Sequence, residues 1–307
     1  MARVTIVLHT RRPFRLDLTV WALRRRPKNI VDRWDNGQYS RIILADGRPA
    51  RLTAVQDEAA VEPTLMVTVE SAASISEQAR ENVGLLVHRM FGLGVDLRPF
   101  YELADDDPVI GPLVERFRGM RPPRFGTVFE GLINSIACQQ VTLDLGITVL
   151  NRLSQRCGGR FVDHGVALHA FPPASDVAGE PEESIRALGF SRQKTRAIQQ
   201  LAAGITGTRV DLERLDGLNN TEAAVELSRI HGIGRWSAEY VLLRALGRID
   251  TFPGDDVGAQ NNLRRLFHLA EKPNYDRIRQ LTSPWHPYAG VVYFHLLLDK
   301  LRANGAL

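Results

Sequence analysis

Two glycines, Gly232 and Gly234, stand between two segments with helical spacing inside the stretch Leu227–Tyr240. Such a pair lets the backbone bend tightly and come close to another molecule. A helix that starts directly after Gly234 would point its unpaired N–H groups and its positive end outward, which suits a phosphate. The alternative interpretation is a plain hairpin of two helices with glycine punctuation, and an isolated Gly-x-Gly would favour it.

Two adjacent carboxylates follow in the loop Ile249–Asp256, which is rich in Gly and Pro. Asp256 comes 20 residues after Trp236. A carboxylate at such a place can stabilise a developing cation and can orient or deprotonate water. Asp256 could equally be the N-cap of a helix over 257–268, and Asp255 competes for that role.

The hairpin, the loop and the aspartate together resemble the helix–hairpin–helix DNA glycosylase superfamily. The interval from Trp236 to Asp256 matches the family's spacing between its hairpin position and its catalytic Asp, so the resemblance implies that Asp256 is catalytic. Members that also cleave the DNA backbone carry a lysine where Trp236 stands. A tryptophan there is similar to the bacterial 3-methyladenine DNA glycosylase II branch, and no cysteine cluster follows as in the iron–sulfur members.

Two further stretches extend the resemblance, which is strong over 125–300 and weak over 1–105. Phe129–Val141 resembles the helix and turn that enter the DNA minor groove, and polar Gln140 falls where the branch has an apolar wedge. Trp285–Ala289 resembles the start of the C-terminal helix, and Phe294 falls where the branch has a pocket tryptophan. The resemblance also implies a TATA-binding-protein-like N-terminal domain.

The resemblance divides the candidate residues into a base pocket and a DNA-binding surface. Trp236 and Tyr240 lie four residues apart on one helix face, which by itself is typical of core packing; with Phe294 they would line the base pocket. The DNA-binding residues would be Gln139, Gln140, Gly232, Gly234, Arg235 and Ser237. No cofactor and no metal are expected, apart from a monovalent cation that the family binds through hairpin carbonyls.

The elements that must position these residues differ between the two parts of the chain. Residues 1–107 are predicted to form a small α+β domain with antiparallel strands, because period-2 alternation and turn residues recur there. The expected strands are Val4–Leu8, Phe14–Val20, Tyr39–Leu44, Pro49–Val55 and Leu65–Val69. A helix capped by Ser76 should follow and end at Gly92.

Residues 108–307 are predicted to form an all-α domain with no second run of strands. Apolar spacing and capping residues indicate ten helices. They are expected near 108–118, 126–137, 142–157, 181–188, 191–204, 221–230, 235–246, 256–269, 274–282 and 287–303.

Composition excludes several classes of protein. Among 307 residues, 44% are hydrophobic and 24% charged, and no apolar run reaches the length of a membrane span. The N-terminus lacks the pattern of an export signal, and two cysteines cannot build a disulfide framework, a four-cysteine cluster or a zinc ribbon. Residues 1–60 carry 12 Lys and Arg against 6 Asp and Glu, which permits nucleic acid as a partner without requiring it.

The sequence is therefore interpreted as a monofunctional N-glycosylase that removes alkylated bases from duplex DNA. It should be a monomer in the cytoplasm, associated with the nucleoid. A lyase-competent glycosylase for oxidised bases and a non-catalytic helix–hairpin–helix DNA-binding protein are the alternatives. None of the four lysines falls in the hairpin or in the Gly254–Asp256 loop, and Lys194, in the helix after Gly189, is interpreted as a solvated side chain.

Overall fold

A computed structural model describes residues 1–57 and 62–307, and its first part is built around an antiparallel sheet. The strands described there are β1 (Ala2–His9), β2 (Arg33–Asp35), β3 (Gln38–Ala45), β4 (Arg48–Asp57) and β5 (Thr64–Ser71). Their order across the sheet is β1-β5-β4-β3-β2. The predicted hairpin between β3 and β4 is confirmed. Its turn residues Asp46 and Gly47 have φ of 49° and 69°, as a tight two-residue hairpin turn requires.

The predicted strand Phe14–Val20 is wrong, because this segment begins a helix, α1 (Leu16–Arg24). Leu16 and Val20, one helical turn apart, pack into the core beneath the sheet. Leu18 instead packs into a core shared with the C-terminal helices. Apolar residues alternate along the sequence because α1 is buried between two cores, a pattern that mimics a strand.

The helix α2 (Glu77–Met90) covers the sheet and has the predicted ends. The Ser76 hydroxyl accepts a hydrogen bond from the Ala79 amide at 3.1 Å and so caps its N-terminus. Gly92, with φ of 58°, follows the C-terminus in the left-handed conformation typical of helix ends. The helix buries Val83 and Met90 in the same core as the sheet.

All ten predicted helices occur in the second part, together with elements that were not predicted. The helices are α3 (Arg98–Asp106), α4 (Gly111–Arg116), α5 (Val128–Cys138), α6 (Leu143–Cys157), α7 (Ala174–Ala178), α8 (Glu182–Ala187), α9 (Arg192–Thr206), α10 (Asn220–Ser228), α11 (Arg235–Arg244), α12 (Val257–Leu266), α13 (Tyr275–Thr282) and α14 (Ala289–Ala303). Of these, α3 and α7 lack a predicted counterpart, and α3 precedes residue 108, so it falls within the part predicted as the α+β domain. The predicted α+β class is confirmed, and among the described residues no helix is long and apolar enough to cross a bilayer.

The expectation of no further strands is wrong, since β6 (Arg160–Asp163) and β7 (Val166–His169) form a small hairpin. Each strand has four residues, too few to display a clear alternation. The hairpin is held from outside, because Phe161 packs against Ile42 of β3. Arg51 of β4 also forms an ion pair with Asp163 at 2.5 Å.

Two helical cores flank the region where the candidate residues meet. One joins α5, α6, α9, α10 and α11. The other joins α3, α4, α12, α13 and α14, and it also takes in Leu18 and Ala22 of α1. This second core thus contains residues from both sides of residue 107, the predicted domain boundary. The boundary itself stays a prediction.

Candidate active site

The turn between α10 and α11 needs glycine at Gly232 for two reasons. Gly232 has φ of 84°, where a side chain is strained. A Cβ added there would also lie 2.8 Å from the Cβ of Ala197 on α9. Gly234 has φ of −97° and open space around it, and it serves as the N-cap of α11. The two glycines therefore have different roles. Gly232 allows the bend, and Gly234 leaves the N-terminus of α11 accessible to another molecule.

The N-terminus of α11 presents free backbone amides beside this open approach. The first helical hydrogen bond runs from the Ala238 amide to the Gly234 carbonyl at 2.9 Å. The amides of residues 235–237 precede it and have no acceptor within the helix. They form a site suited to an anion such as a phosphate.

The turn after α5 is tied to the same hairpin. Gln139 donates from Nε2 to the Gly232 carbonyl at 2.8 Å and to the Ser237 hydroxyl at 2.9 Å. Ser237 is buried, so its hydroxyl serves this contact and its backbone amide is the group left for a ligand. Gln140 is exposed at the apex with φ of 52°, a left-handed conformation that turns the chain sharply.

Lys194 is hydrogen-bonded to the turn after α5, so its interpretation as a solvated side chain is wrong. Its Nζ donates to the carbonyl of Ala137 at 3.0 Å and to that of Gln139 at 2.7 Å. These carbonyls lie at the C-terminal end of α5, where helices lack internal donors. Burial lowers the pKa of Lys194.

Asp256 is at once the N-cap of α12 and a carboxylate beside aromatic rings. Its Oδ1 accepts from the Ala259 amide at 2.8 Å. Its Oδ2 accepts from Trp236 Nε1 and from the Tyr293 hydroxyl, each at 3.3 Å. The two interpretations of Asp256 from sequence, cap and site carboxylate, are therefore compatible.

Asp255 is not hydrogen-bonded to Trp236 or Tyr293 but forms an ion pair with Arg235. Arg235 donates to both of its carboxylate oxygens, at 2.7 and 3.1 Å. The same guanidinium lies 3.8 Å from the centroid of the Tyr275 ring. Arg235 was expected to contact DNA, but in the structure its charge is engaged by Asp255.

A cavity of about 1480 Å³ opens between the hairpin, the turn after α5 and α12. Its lining includes Trp236, Tyr240 and Asp256, as expected. The rings of Trp236 and Tyr240 lie 5.3 Å apart at an interplanar angle of 33°. Trp236 is partly exposed and Tyr240 is buried, so the indole is the face that a ligand would meet first.

Phe294 does not belong to this cavity. It is 0% exposed and packs in the C-terminal core, with the Arg244 guanidinium 5.2 Å from its ring centroid. Its neighbour Tyr293 lines the cavity instead. Burial and then the nearby Asp256 carboxylate raise the pKa of Tyr293 well above its usual value, so its hydroxyl stays a donor to Asp256.

Arg25 is a cavity residue that sequence reasoning missed. It follows the C-terminus of α1 with φ of 62° and donates to the Tyr240 hydroxyl at 2.7 Å and to Asn134 Oδ1 at 2.6 Å. Burial raises the pKa of Tyr240. The Arg24-Arg25-Arg26 run was a signal for it, but it lies beyond the predicted strand Phe14–Val20, in a segment for which no element was predicted.

The fold and this site define a class of protein. The sequence model of the HhH-GPD superfamily of base excision DNA repair proteins matches residues 133–287, and the chain belongs to this superfamily. A Bacillus subtilis protein named DNA-3-methyladenine glycosylase is 28% identical over 222 residues, which span 72% of this chain and 73% of that protein.

Solved structures extend the likeness to the whole chain. The 3-methyladenine DNA glycosylase from Archaeoglobus fulgidus is 26% identical with a TM-score of 0.81, and the match covers 97% of both chains. An 8-oxoguanine glycosylase/lyase of Clostridium acetobutylicum, in complex with double-stranded DNA, has a TM-score of 0.75. At 19% identity, over 95% of this chain and 93% of that one, it shares the fold alone.

Proposed function

We propose that this protein is a monofunctional N-glycosylase that excises alkylated bases of the 3-methyladenine type from duplex DNA in base excision repair. The observation that carries the proposal is the Asp256 carboxylate, which accepts from Trp236 and Tyr293 on the wall of a large cavity. The names of the relatives, which are DNA-3-methyladenine glycosylases, support the same activity. The protein would act as a monomer on chromosomal DNA in the cytoplasm.

The protein would bind DNA through backbone amides, and the turn after α5 would enter the duplex. The free amides of residues 235–237 suit a phosphate of the DNA backbone. A base inside the helix is out of reach of Asp256, so the damaged nucleotide must flip out, which costs a few kcal/mol of unstacking. Gln140, exposed at the cavity edge, would fill the gap that the flipped base leaves.

Inside the cavity, the chemistry requires little acid catalysis. An alkylated ring nitrogen makes the base cationic and hence a good leaving group, and the partly exposed Trp236 indole offers it a cation–π contact of about 0.5–2 kcal/mol. Breaking the N-glycosidic bond leaves an oxocarbenium-like sugar. Asp256 would stabilise this cation and orient the attacking water.

The residue at the hairpin position favours hydrolysis over strand cleavage. A lyase needs an amine that forms a Schiff base with the sugar. Trp236 occupies the hairpin position where such a lysine would stand, and Lys194 is bound to two carbonyls. The product would therefore be an abasic site in an intact strand.

A methylated plasmid distinguishes this function from its alternatives. Wild-type protein should release methylated bases and produce strand breaks only after alkali, whereas Asp256→Asn should release none. Strand breaks without alkali would instead indicate a lyase. Binding without any base release would indicate a DNA-binding protein that lacks catalysis.

A further inference from the structure

The position of Asp256 depends on a loop with no regular structure of its own. Residues 245–256 connect α11 to α12, and Asp256 is the last of them. The contacts of its Oδ2 with Trp236 and Tyr293 are long for hydrogen bonds, at 3.3 Å each. The Ala259 amide, which donates to Oδ1 at 2.8 Å, ties the carboxylate to α12, and further groups on α11 and α13 tie the loop to the rest of the site.

Glu239 on α11 is the first of those groups. Its Oε2 accepts from the Gly254 amide at 3.1 Å, and its Oε1 accepts from the Tyr275 hydroxyl at 2.5 Å. Gly254 fits tightly here, because a Cβ on it would lie 2.7 Å from the Tyr275 ring. A half-buried carboxylate that accepts two hydrogen bonds holds both donors in one geometry.

Arg235 closes the arrangement one helical turn before Glu239. Its guanidinium lies over the Tyr275 ring and binds both oxygens of Asp255. Its positive charge also lies between α11 and the loop. Three carboxylates occur in this region, those of Glu239, Asp255 and Asp256. Without the positive charge, like charges would push the loop away from α11.

Burial raises the pKa of Glu239, and the Asp255 carboxylate acts in the same direction. The Tyr275 hydroxyl, the Gly254 amide and Arg235 oppose this and favour the charged form. Burial also raises the pKa of Tyr275 to about 12, which keeps its hydroxyl protonated as a donor. The Tyr275 hydroxyl is therefore in the form that its hydrogen bond to Glu239 needs.

We propose that Arg235, Glu239, Asp255 and Tyr275 form a clamp that positions the catalytic carboxylate. Glu239 and Tyr275 are positioning residues, which act on the reaction through the Gly254–Asp256 segment. Arg235 serves this clamp rather than a DNA phosphate. The inference rests on the proposed function for its effect on rate, but the clamp itself has consequences that are independent of activity.

Two substitutions remove the clamp in steps. Tyr275→Phe deletes one hydroxyl and keeps the ring beneath Arg235, and Glu239→Ala deletes both acceptors. Since a misplacement of about 1 Å can cost about 100-fold in rate, single-turnover excision should fall about tenfold and about 100-fold, respectively. Glu239→Gln keeps an oxygen for the Gly254 amide and should restore much of the rate. Affinity for an abasic duplex should stay within about twofold.

Tyr101→Phe is the matched control. The Tyr101 hydroxyl is also hydrogen-bonded, as the acceptor of the Gly119 amide at 3.1 Å, but Tyr101 does not line the cavity. This variant should keep the wild-type excision rate. If Tyr275→Phe and Glu239→Ala also keep it, or lose abasic-DNA affinity as steeply as rate, the positioning role is wrong.

Hydrogen–deuterium exchange tests the clamp without any excision. The Gly254 amide donates to Glu239, and the Ala259 amide donates to Asp256. Both should exchange faster in Glu239→Ala than in wild type and should be unchanged in Tyr101→Phe. Unchanged protection of Ala259 in Glu239→Ala would overturn the inference even in an active enzyme. A wild-type protein that excises nothing, with the predicted exchange pattern, would overturn the proposed function and leave the clamp in place.

Discussion

Trp236 and Asp256 are 20 residues apart in the chain, and the indole Nε1 of one donates to Oδ2 of the other at 3.3 Å. The contact joins the first turn of α11 to the N-cap of α12. It aims the carboxylate at the cavity while the other oxygen caps the helix. This pair is the centre of the proposed site, and the first prediction addresses it.

Asp256→Asn should abolish excision and keep DNA binding. Asn is as good an N-cap as Asp, so the fold should persist. Loss of the negative charge beside the oxocarbenium should lower the single-turnover rate by at least about 100-fold. Affinity for an abasic duplex provides the binding measurement. Asp255→Asn is the control and should retain far more activity; an active Asp256→Asn beside a dead Asp255→Asn would mean that the wrong carboxylate has been assigned.

Gly234→Val should weaken binding to damaged and undamaged duplexes about equally. Open space surrounds Gly234, so the fold should tolerate the side chain, which would stand in the path of the DNA backbone. Gly232→Ala should instead lower the melting temperature. It combines a strained left-handed φ, costing about 1–2 kcal/mol, with a close contact to Ala197. If Gly234→Val weakens binding only to damaged DNA, the hairpin belongs to base recognition.

Borohydride added during turnover should trap no protein–DNA adduct. Among the described residues, the amines that line the cavity are those of Lys194 and Lys300. Lys194 is bound to two carbonyls, and Lys300 is exposed. An adduct would contradict the hydrolytic mechanism. Lys194→Met and Lys300→Met would then show which amine forms it, and the N-terminal amine would remain if neither variant removed it.

The stability of the protein should fall between pH 6.5 and pH 4 because of His295. Burial lowers the pKa of this histidine from 6.5 to about 4. The unfolded chain therefore binds a proton in that window that the folded protein excludes, and the free energy of unfolding drops as pH falls. The drop should approach about 3 kcal/mol. Denaturant unfolding at several pH values measures it.

The control for this experiment compares substitutions of a buried and an exposed histidine. His295→Gln should flatten the pH dependence in that window, while exposed His9→Gln should leave it as in wild type. An unchanged slope in His295→Gln would assign the acid sensitivity to other groups.

The local features of the site could be predicted from sequence because they depend on spacing along the chain. The two glycines of the hairpin, Trp236 and the 20-residue interval to Asp256 occur within one continuous stretch. Helical periodicity and capping residues likewise indicated all ten predicted helices. Such signals are short-range, so the rest of the fold is not needed to detect them.

Tertiary packing decided which side chains complete the site. Arg25, Lys194 and Tyr275 come from distant segments, and only the folded chain brings them to the hairpin, its neighbouring turn and the Asp256 loop. Tyr293 and Phe294 are adjacent in α14 but point about 100° apart, so the packing of that helix determines which ring faces the cavity. The sequence by itself determined the class of chemistry, and the relative placement of distant helices decided which residues surround the carboxylate.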